Sequence, residues 1–281
     1  MNLIMEHKID PEIVIFGSSV AEVGFNANLI SEITDNFVYN AALDGTRIGQ
    51  NKGLIDEFNT YSERCHTVIL GLSFFSLSEE SRMTEPSRFY AHFKNKNVER
   101  MFYESDTHNY IKLKYVPFYA FTQYTHTYYK NAGIGLKNFL KGKELAPDDH
   151  NGFIPHYNSW YGENIESNDF GSVAIDFSEK TLGQLTNVIR ELNNKGRKVI
   201  MVICPMYMNG QKYYSNYQQL INKVKAFEKE GVKVYDFSSI PLNTDKNNFY
   251  NNGHLNVTGA KEFSRLIANS LKSSRETKEL L

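Results

Sequence analysis

Two short stretches near opposite ends of the sequence carry residues that could perform nucleophilic chemistry. The first is Gly17-Ser18-Ser19, which directly follows the apolar run 12–16. This arrangement is typical of a buried parallel strand that delivers a small hydroxyl to the edge of a sheet. Gly17 permits a tight turn, and Ser19 would then lie beside the N–H groups of a helix start, which can bind an anion. The same residues also suit an ordinary strand-to-helix turn with serine as the N-cap.

The second stretch places a histidine, His254, just before a predicted helix. Asn256 is a good N-cap for that helix, and Phe263, Leu266, Ile267 and Leu271 follow at helical spacing. A lone histidine is often structural, but histidine is also the usual base that removes the proton of a serine nucleophile. We therefore predict that Ser19 acts as nucleophile and His254 as base, which requires the two ends of the chain to meet.

The elements that would position these residues alternate between strand and helix. Strands are predicted over 12–16, 37–41, 67–71, 198–204 and 233–237, with amphipathic helices between them. Right-handed crossovers between such strands give a three-layer α/β sandwich around a five-stranded parallel sheet. The turns 17–19, 42–45 and 71–73 would all lie beyond the carboxyl ends of strands, where such sheets bind their ligands.

The alternation breaks between residues 76 and 176, where Tyr and Phe are unusually frequent. A structureless loop of this length is implausible in a compact domain. We therefore expect a single α/β domain over 1–281 with an aromatic-rich, mainly helical insertion or lid over 76–176. Most of its rings should pack together as a core, although Trp160 and Tyr161 are candidates for lining a groove for a sugar-like substrate.

A family resemblance adds to this interpretation. Gly17-Ser18-Ser19-Val20 and Asn251-x-x-His254-Leu255-Asn256-x-x-Gly259 resemble the first and last blocks of the SGNH (GDSL-like) hydrolase superfamily. The resemblance covers the two ends of the chain and only loosely its middle. It implies a flavodoxin-like fold, a Ser19 nucleophile and a His254 base. It also implies an oxyanion hole formed by the N–H groups of Ser19 and Gly45 and by the side chain of Ser73. Gly45 could equally be a turn residue that needs a positive φ.

Three positions depart from the family pattern. Ser18 and Asn251 replace the usual aspartates, and Ser73 replaces the usual asparagine of the oxyanion hole. Asn251 can accept the Nδ1–H of His254 but brings no charge, and its NH₂ group could select the wrong tautomer. Three alternatives follow. Another carboxylate, such as Asp44 or Asp245, orients His254; a Ser–His dyad suffices; or the site only binds.

The resemblance implies two functions of different classes. The first is a serine esterase or O-acyltransferase acting on acyl, above all acetyl, esters of a carbohydrate or an envelope polymer. The alternative is a catalytically degraded module that binds a polysaccharide or a protein partner. Neither requires a cofactor.

Composition excludes several other classes. A net charge of −1 provides no basic field for nucleic acid, and no apolar run approaches the roughly 20 residues that span a bilayer. Cys65 and Cys204 lie in apolar runs and are expected to be buried free thiols. The acidic and histidine residues at 148–150 and His156 match no recognised metal-ligand spacing, so we interpret them as solvated loop residues. We expect a soluble chain, which could also be the soluble part of a longer envelope-associated protein.

Overall fold

A computed structural model describes residues 1–78, 82–124, 126–142, 150–161 and 164–279. Its strands are β1 Ile13–Gly17, β2 Val38–Asn40, β3 Thr67–Leu72, β4 Lys198–Ile203, β5 Lys233–Asp236, β6 Phe249–Asn251 and β7 His254–Leu255. Its α-helices are α1 Asn2–Met5, α2 Ser19–Gly24, α3 Ala27–Thr34, α4 Ile48–Tyr61, α5 Lys96–Ser105, α6 Thr107–Tyr115, α7 Tyr119–Thr122, α8 His126–Leu140, α9 Glu179–Asn194, α10 Met208–Lys212, α11 Tyr217–Lys225 and α12 Val257–Glu279. Short 3₁₀ turns cover Phe74–Leu77, Pro86–His92, Ser167–Asp169, Ala226–Glu230, Pro241–Thr244 and Lys246–Asn248.

The first five strands form one parallel sheet in the order β2-β1-β3-β4-β5. This is the flavodoxin-like order, in which the chain reverses direction across the sheet between β1 and β3. The predicted α/β class and five-stranded parallel sheet are therefore confirmed. The crevice at the β1/β3 reversal is where such folds bind ligands, and it is here that the Gly17-Ser18-Ser19 turn emerges.

Both faces of the sheet are covered by helices, because the strands alternate their apolar side chains between two cores. Val14 and Phe16 of β1 point into the core shared with α4, α9 and α11. Ile13 and Ile15 point into the core shared with α2, α3 and α12. The sheet is thus the middle layer of a three-layer sandwich, and its buried strands hold the turns at their carboxyl ends in fixed positions.

Two local features differ from the sequence-based expectation. The stretch between the first two strands, where one amphipathic helix is expected, holds two helices, α2 and α3, which are separated at Phe25 and Asn26. Phe25 is fully buried in an extended conformation, and the side chain of Asn26 caps α3 by accepting from the backbone N–H of Leu29. The second feature is the hairpin of β6 and β7, which is too short to show a periodic pattern.

The region 76–176 contains α5 to α8 together with extended segments. Its first part joins the main core, since Phe89, Tyr90 and Phe102 pack in the same cluster as β1 and α4. Its later helices, α6 to α8, expose most of their surface. The aromatic residues therefore divide into a set that extends the domain core and a set that faces solvent.

The two cysteines are buried and free, as expected. Burial raises the pKa of the Cys65 thiol to about 11 and that of Cys204 further, so neither is a thiolate at neutral pH. Among the described residues, no helix is both long enough and apolar enough to cross a bilayer.

Candidate active site

Ser19 is the first residue of α2, immediately after the buried strand β1. Gly17 makes this abrupt turn possible, because a Cβ there would lie 2.6 Å from both the Ala21 Cβ and the Gly71 carbonyl oxygen. Ser18 occupies the N-cap position, but its side chain makes no capping hydrogen bond. The first N–H groups of a helix have no acceptor within the helix, so the N–H of Ser19 is available to a ligand.

His254 reaches Ser19 from the other end of the chain. It begins β7, directly after the tight turn that joins β6 to β7, and its Nε2 lies 2.8 Å from Ser19 Oγ. The predicted N-cap, Asn256, caps α12 by accepting from the N–H groups of Thr258 and Gly259, and its Nδ2 connects the helix to the hairpin by donating to the carbonyl of Phe249. The structure thus brings together the serine and the histidine that the sequence separates by 235 positions.

The side chain of Asn251 faces the other ring nitrogen of His254. Its Oδ1 lies 2.9 Å from His254 Nδ1 and also accepts from the backbone N–H groups of Gly253 and His254, both at 2.9 Å. Two backbone donors identify this atom as the amide oxygen, because an NH₂ group could not accept from them. Nδ1 must then carry the proton, which leaves Nε2 as the acceptor for the Ser19 hydroxyl.

The carboxylates considered as alternatives do not contact the ring of His254. Asp245 is exposed and accepts from the N–H of Asn247 at a 3₁₀ turn. Asp44 is exposed in the loop after β2 and acts on His254 only through its charge, which favours the protonated ring. Asn251 is therefore the group that orients His254 in this structure.

Burial dominates the electrostatics of the histidine. It lowers the pKa of His254 to about 4, with His156 adding to the shift and Asp44 opposing it. A ring with this pKa is neutral throughout the physiological range and is able to accept a proton. The same environment gives little support to the imidazolium that forms once the proton has been accepted.

Gly45 and Ser73 both line the cavity that contains Ser19 and His254. Gly45 has φ +70°, and a Cβ there would lie 2.9 Å from Thr84 Cγ2, so the turn requires glycine whatever its other role. Ser73 is buried, and its hydroxyl has no hydrogen-bond partner among the described residues. A buried hydroxyl without a partner at a cavity wall is available to a bound group.

The cavity itself has a volume of about 450 Å³. One wall carries the polar residues already described, and the facing wall is formed by Phe74, Phe75, Ile165, Met206, Tyr213 and Tyr214. A pocket of this size, apolar with a few convergent polar groups, is typical of a small-molecule site. Within the described residues, no cluster of three or more His, Cys, Asp or Glu side chains could hold a metal ion. Asp148 and Asp149 lie outside the described residues.

Trp160 and Tyr161 are not among the residues that line this cavity. Trp160 packs against Tyr207, and Lys246 lies over its ring, 4.6 Å from the centroid. Tyr161 is 55% exposed and stacks on Tyr250, which in turn stacks on His254 with 5.4 Å between centroids. Trp160 lines a separate cavity of about 430 Å³ together with Tyr157 and Lys246, whereas Tyr161 lies at the surface one ring away from the histidine.

Sequence reasoning missed three neighbours of the site, which are Glu22, Tyr250 and His156. Glu22 lies one helical turn after Ser19, and burial together with the charge of Asp44 raises its pKa to about 7. Tyr250 is buried between the rings of His156 and His254. The spacing of Glu22 from Ser19 was visible in the sequence, but the contacts of His156 depend on how the hairpin of β6 and β7 packs.

The fold and the site together define a flavodoxin-like α/β protein with a hydrogen-bonded Ser–His–Asn arrangement at the β1/β3 crevice. No protein-family model matches the sequence, and no curated protein matches it. Similar solved structures include a protein from Streptococcus pneumonia provisionally described as a platelet activating factor. It has a TM-score of 0.47 and 11% identity, covering 96% of this chain and 88% of that one.

Two further solved structures are similar at the same level. One is a protein from Bacteroides fragilis provisionally described as an acylhydrolase, with a TM-score of 0.46, 9% identity and coverage of 96% of this chain and 93% of that one. The other is a protein from Desulfitobacterium hafniense provisionally described as a lipolytic protein of the G-D-S-L family. It has a TM-score of 0.43, 10% identity and coverage of 92% and 97%.

Proposed function

We propose that this protein is a serine-dependent ester hydrolase or O-acyltransferase of the SGNH type. One observation carries the proposal. Ser19 Oγ lies 2.8 Å from His254 Nε2, in a histidine whose Nδ1 faces an oxygen acceptor. This is the arrangement that a base needs in order to accept the proton of a serine as the serine attacks a carbonyl.

The reaction would proceed through an acyl-enzyme. Ser19 Oγ attacks the acyl carbonyl carbon while His254 accepts the hydroxyl proton. The N–H groups of Ser19 and Gly45 and the hydroxyl of Ser73 donate to the oxyanion. The intermediate then collapses, the C–O bond to the alcohol breaks, and the alcohol leaves with the proton from His254. Water or an acceptor hydroxyl next attacks the acyl carbon, which releases Ser19 together with an acid or a new ester.

We propose that the acyl group is short. The aromatic wall that includes Phe74 and Phe75 bounds the cavity, and its volume of about 450 Å³ must also admit part of the alcohol. We propose an acetyl or similarly small ester, carried by a carbohydrate or an envelope polymer. The ring of Tyr161 is exposed next to Tyr250 and would contact the alcohol portion beyond the cavity.

Hydrolysis of p-nitrophenyl acetate tests the proposal directly. We expect turnover by the parent protein, a loss of at least about 10³-fold in Ser19→Ala and His254→Ala, and covalent labelling by a fluorophosphonate that Ser19→Ala abolishes. Ser270→Ala is the matched control, because that serine is half-buried on α12, does not line the cavity that contains Ser19, and should have no effect. If the parent and Ser19→Ala hydrolysed p-nitrophenyl acetate at equal rates and neither was labelled, the proposal would fail and the alternative of a non-catalytic binding protein would be favoured.

A partition experiment separates hydrolysis from transfer. When a sugar acceptor is added, a transferase releases p-nitrophenol faster and forms less acetate than p-nitrophenol, because part of the acetyl group goes to the sugar. A hydrolase releases acetate and p-nitrophenol in equal amounts whatever the acceptor concentration.

A further inference from the structure

The helices α7 and α8 and the segment before them carry a surface that the candidate site does not use. Its large apolar side chains are exposed, with Phe118 at 77% and Phe139 at 79%. We call this surface the aromatic–lysine face; its exposed apolar members are Tyr115, Val116, Phe118, Phe121, Tyr129, Leu136, Phe139 and Leu140. Single exposed apolar residues are ordinary, but a cluster of this size requires an explanation.

The members of this face form one surface. The rings of Phe118 and Phe121 lie 6.4 Å apart, and the hydroxyl of Tyr129 donates to the carbonyl of Phe121. On α8, Tyr129, Leu136 and Phe139 recur at intervals of seven and three residues, so they share one side of the helix. The five aromatic rings alone, at roughly 100 Å² exposed each, give on the order of 500 Å², which is large for a monomer surface.

The charge of this region has a single sign. Between Thr107 and Gly142 the sequence contains five lysines and no Asp or Glu, in a chain whose net charge is −1. Lys114 pairs with Glu99 outside this stretch. Lys130 and Lys137 of α8, together with Lys141 directly after its last residue, lie about a third of a turn from its apolar stripe, all on one side of it. An amphipathic helix with aromatic residues on one side and lysines beside them is typical of helices that lie in a membrane interface.

A cavity of about 510 Å³ lies beside this face. Its walls combine the rings of Phe121, Tyr124 and Tyr129 with the side chains of Arg88 and His92. An apolar slot of this kind suits an acyl chain, although Arg88 at its border already pairs with Glu85 and donates to the Asp44 carbonyl.

We propose that the aromatic–lysine face binds the surface of an anionic lipid bilayer. The rings would enter the headgroup region while Lys130, Lys137 and Lys141 contact anionic headgroups. A second copy of the chain is a poorer occupant, because the same face on both copies would place the lysine stripes against each other. The proposal is independent of the esterase chemistry, since no residue of this face lines the catalytic cavity.

Vesicle co-sedimentation tests the proposal on the full chain. The probes are vesicles of phosphatidylcholine alone and of phosphatidylcholine with about one third phosphatidylglycerol. We expect binding to the anionic vesicles, weak binding to the neutral ones, and loss of binding at high salt. Each lysine near an anionic surface contributes about fivefold in affinity, so Lys130→Gln, Lys137→Gln and Lys141→Gln together should lower the partition coefficient roughly 100-fold.

Matched variants distinguish binding through this face from non-specific effects of charge and of exposed apolar surface. Phe139→Ser with Leu140→Ser should also abolish vesicle binding, while Tyr157→Ser, which removes an exposed ring elsewhere, should not. A control with Lys195, Lys229 and Lys261 changed to Gln removes the same charge from other surfaces. No binding by the parent protein, or equal loss in both triple variants, overturns the proposal. The proposal is also overturned if the protein does not bind vesicles but forms a concentration-dependent dimer that Phe139→Ser disrupts. That result would identify a second copy of the chain as the occupant of this face.

Discussion

Replacing Asn251 with aspartate would place a full charge where the structure has a neutral acceptor. Asn251 Oδ1 accepts three N–H donors, each at 2.9 Å, and a carboxylate oxygen can accept the same three. Asn251→Asp should therefore keep His254 in its present orientation and tautomer. The variant isolates the effect of charge, whereas the reverse change in a trypsin-like triad also selects the wrong tautomer and costs about 10⁴ in rate.

The magnitude follows from Coulomb's law. A carboxylate about 4 Å from the ring, at an effective dielectric constant of about 20, stabilises imidazolium by about 4 kcal/mol, or roughly 3 pKa units. The pKa of His254 should then rise from about 4 to near neutrality. Because imidazolium forms as the serine attacks, part of this stabilisation also lowers the barrier. We expect kcat/KM at pH 8 to rise roughly 10- to 100-fold.

The assay is kcat/KM for p-nitrophenyl acetate as a function of pH. The parent protein should keep its activity down to about pH 5, because His254 stays neutral there, and the acid limb of Asn251→Asp should move upward by two to three pH units, by the same estimate. Asn247→Asp is the control, since it adds the same charge on an exposed side chain that does not line the cavity. An acid limb that stays in place in Asn251→Asp, or one that moves equally in both variants, would refute the role given to Asn251.

Four further predictions follow from individual contacts. Ser73→Ala removes a hydroxyl at the cavity wall and should lower kcat/KM about 10²-fold with little change in melting temperature. Gly17→Ala places a methyl 2.6 Å from the Gly71 carbonyl oxygen, so it should destabilise the protein by about 1–3 kcal/mol in urea unfolding and also lower activity. A stability equal to that of the parent would mean that the turn is not tight. Asp56→Ala removes the acid that pairs with the buried ammonium of Lys52 at 2.6 Å and with Arg100 at 2.7 Å, and leaves Lys52 only Glu191 at 3.4 Å. The change should cost about 3 kcal/mol, whereas Glu32→Ala on the exposed side of α3 should cost well under 1 kcal/mol. Glu22 holds its proton up to about pH 7 in the folded protein, whereas the unfolded carboxyl loses it near pH 4.5, so the parent protein loses stability as pH rises through that window. Glu22→Gln should remove this loss, which reaches up to about 3 kcal/mol at pH 8. Equal pH dependence of urea unfolding in the two proteins would contradict the raised pKa of Glu22.

The sequence was sufficient to predict the parallel sheet and to propose Ser19, His254 and Asn251 as members of one site. Strands buried on both faces are continuous apolar runs, and helices such as α4 end where the apolar periodicity ends. The resemblance of the two terminal blocks to SGNH hydrolases placed Ser19 and His254 in the same site. Short-range signals were enough here, because a strand, a tight turn and a helix cap depend on neighbouring residues.

Only the tertiary structure determined how His254 is oriented and what surrounds it. Asparagine at position 251 was compatible with either tautomer until the turn placed two backbone N–H groups on its Oδ1. The low pKa of His254 and the raised pKa of Glu22 depend on burial by segments far away in the sequence. The division of the aromatic residues between Phe102 in the core and Phe139 at the surface also required the folded chain. A composition rich in rings specifies the amount of apolar surface, whereas packing decides which part of it remains exposed.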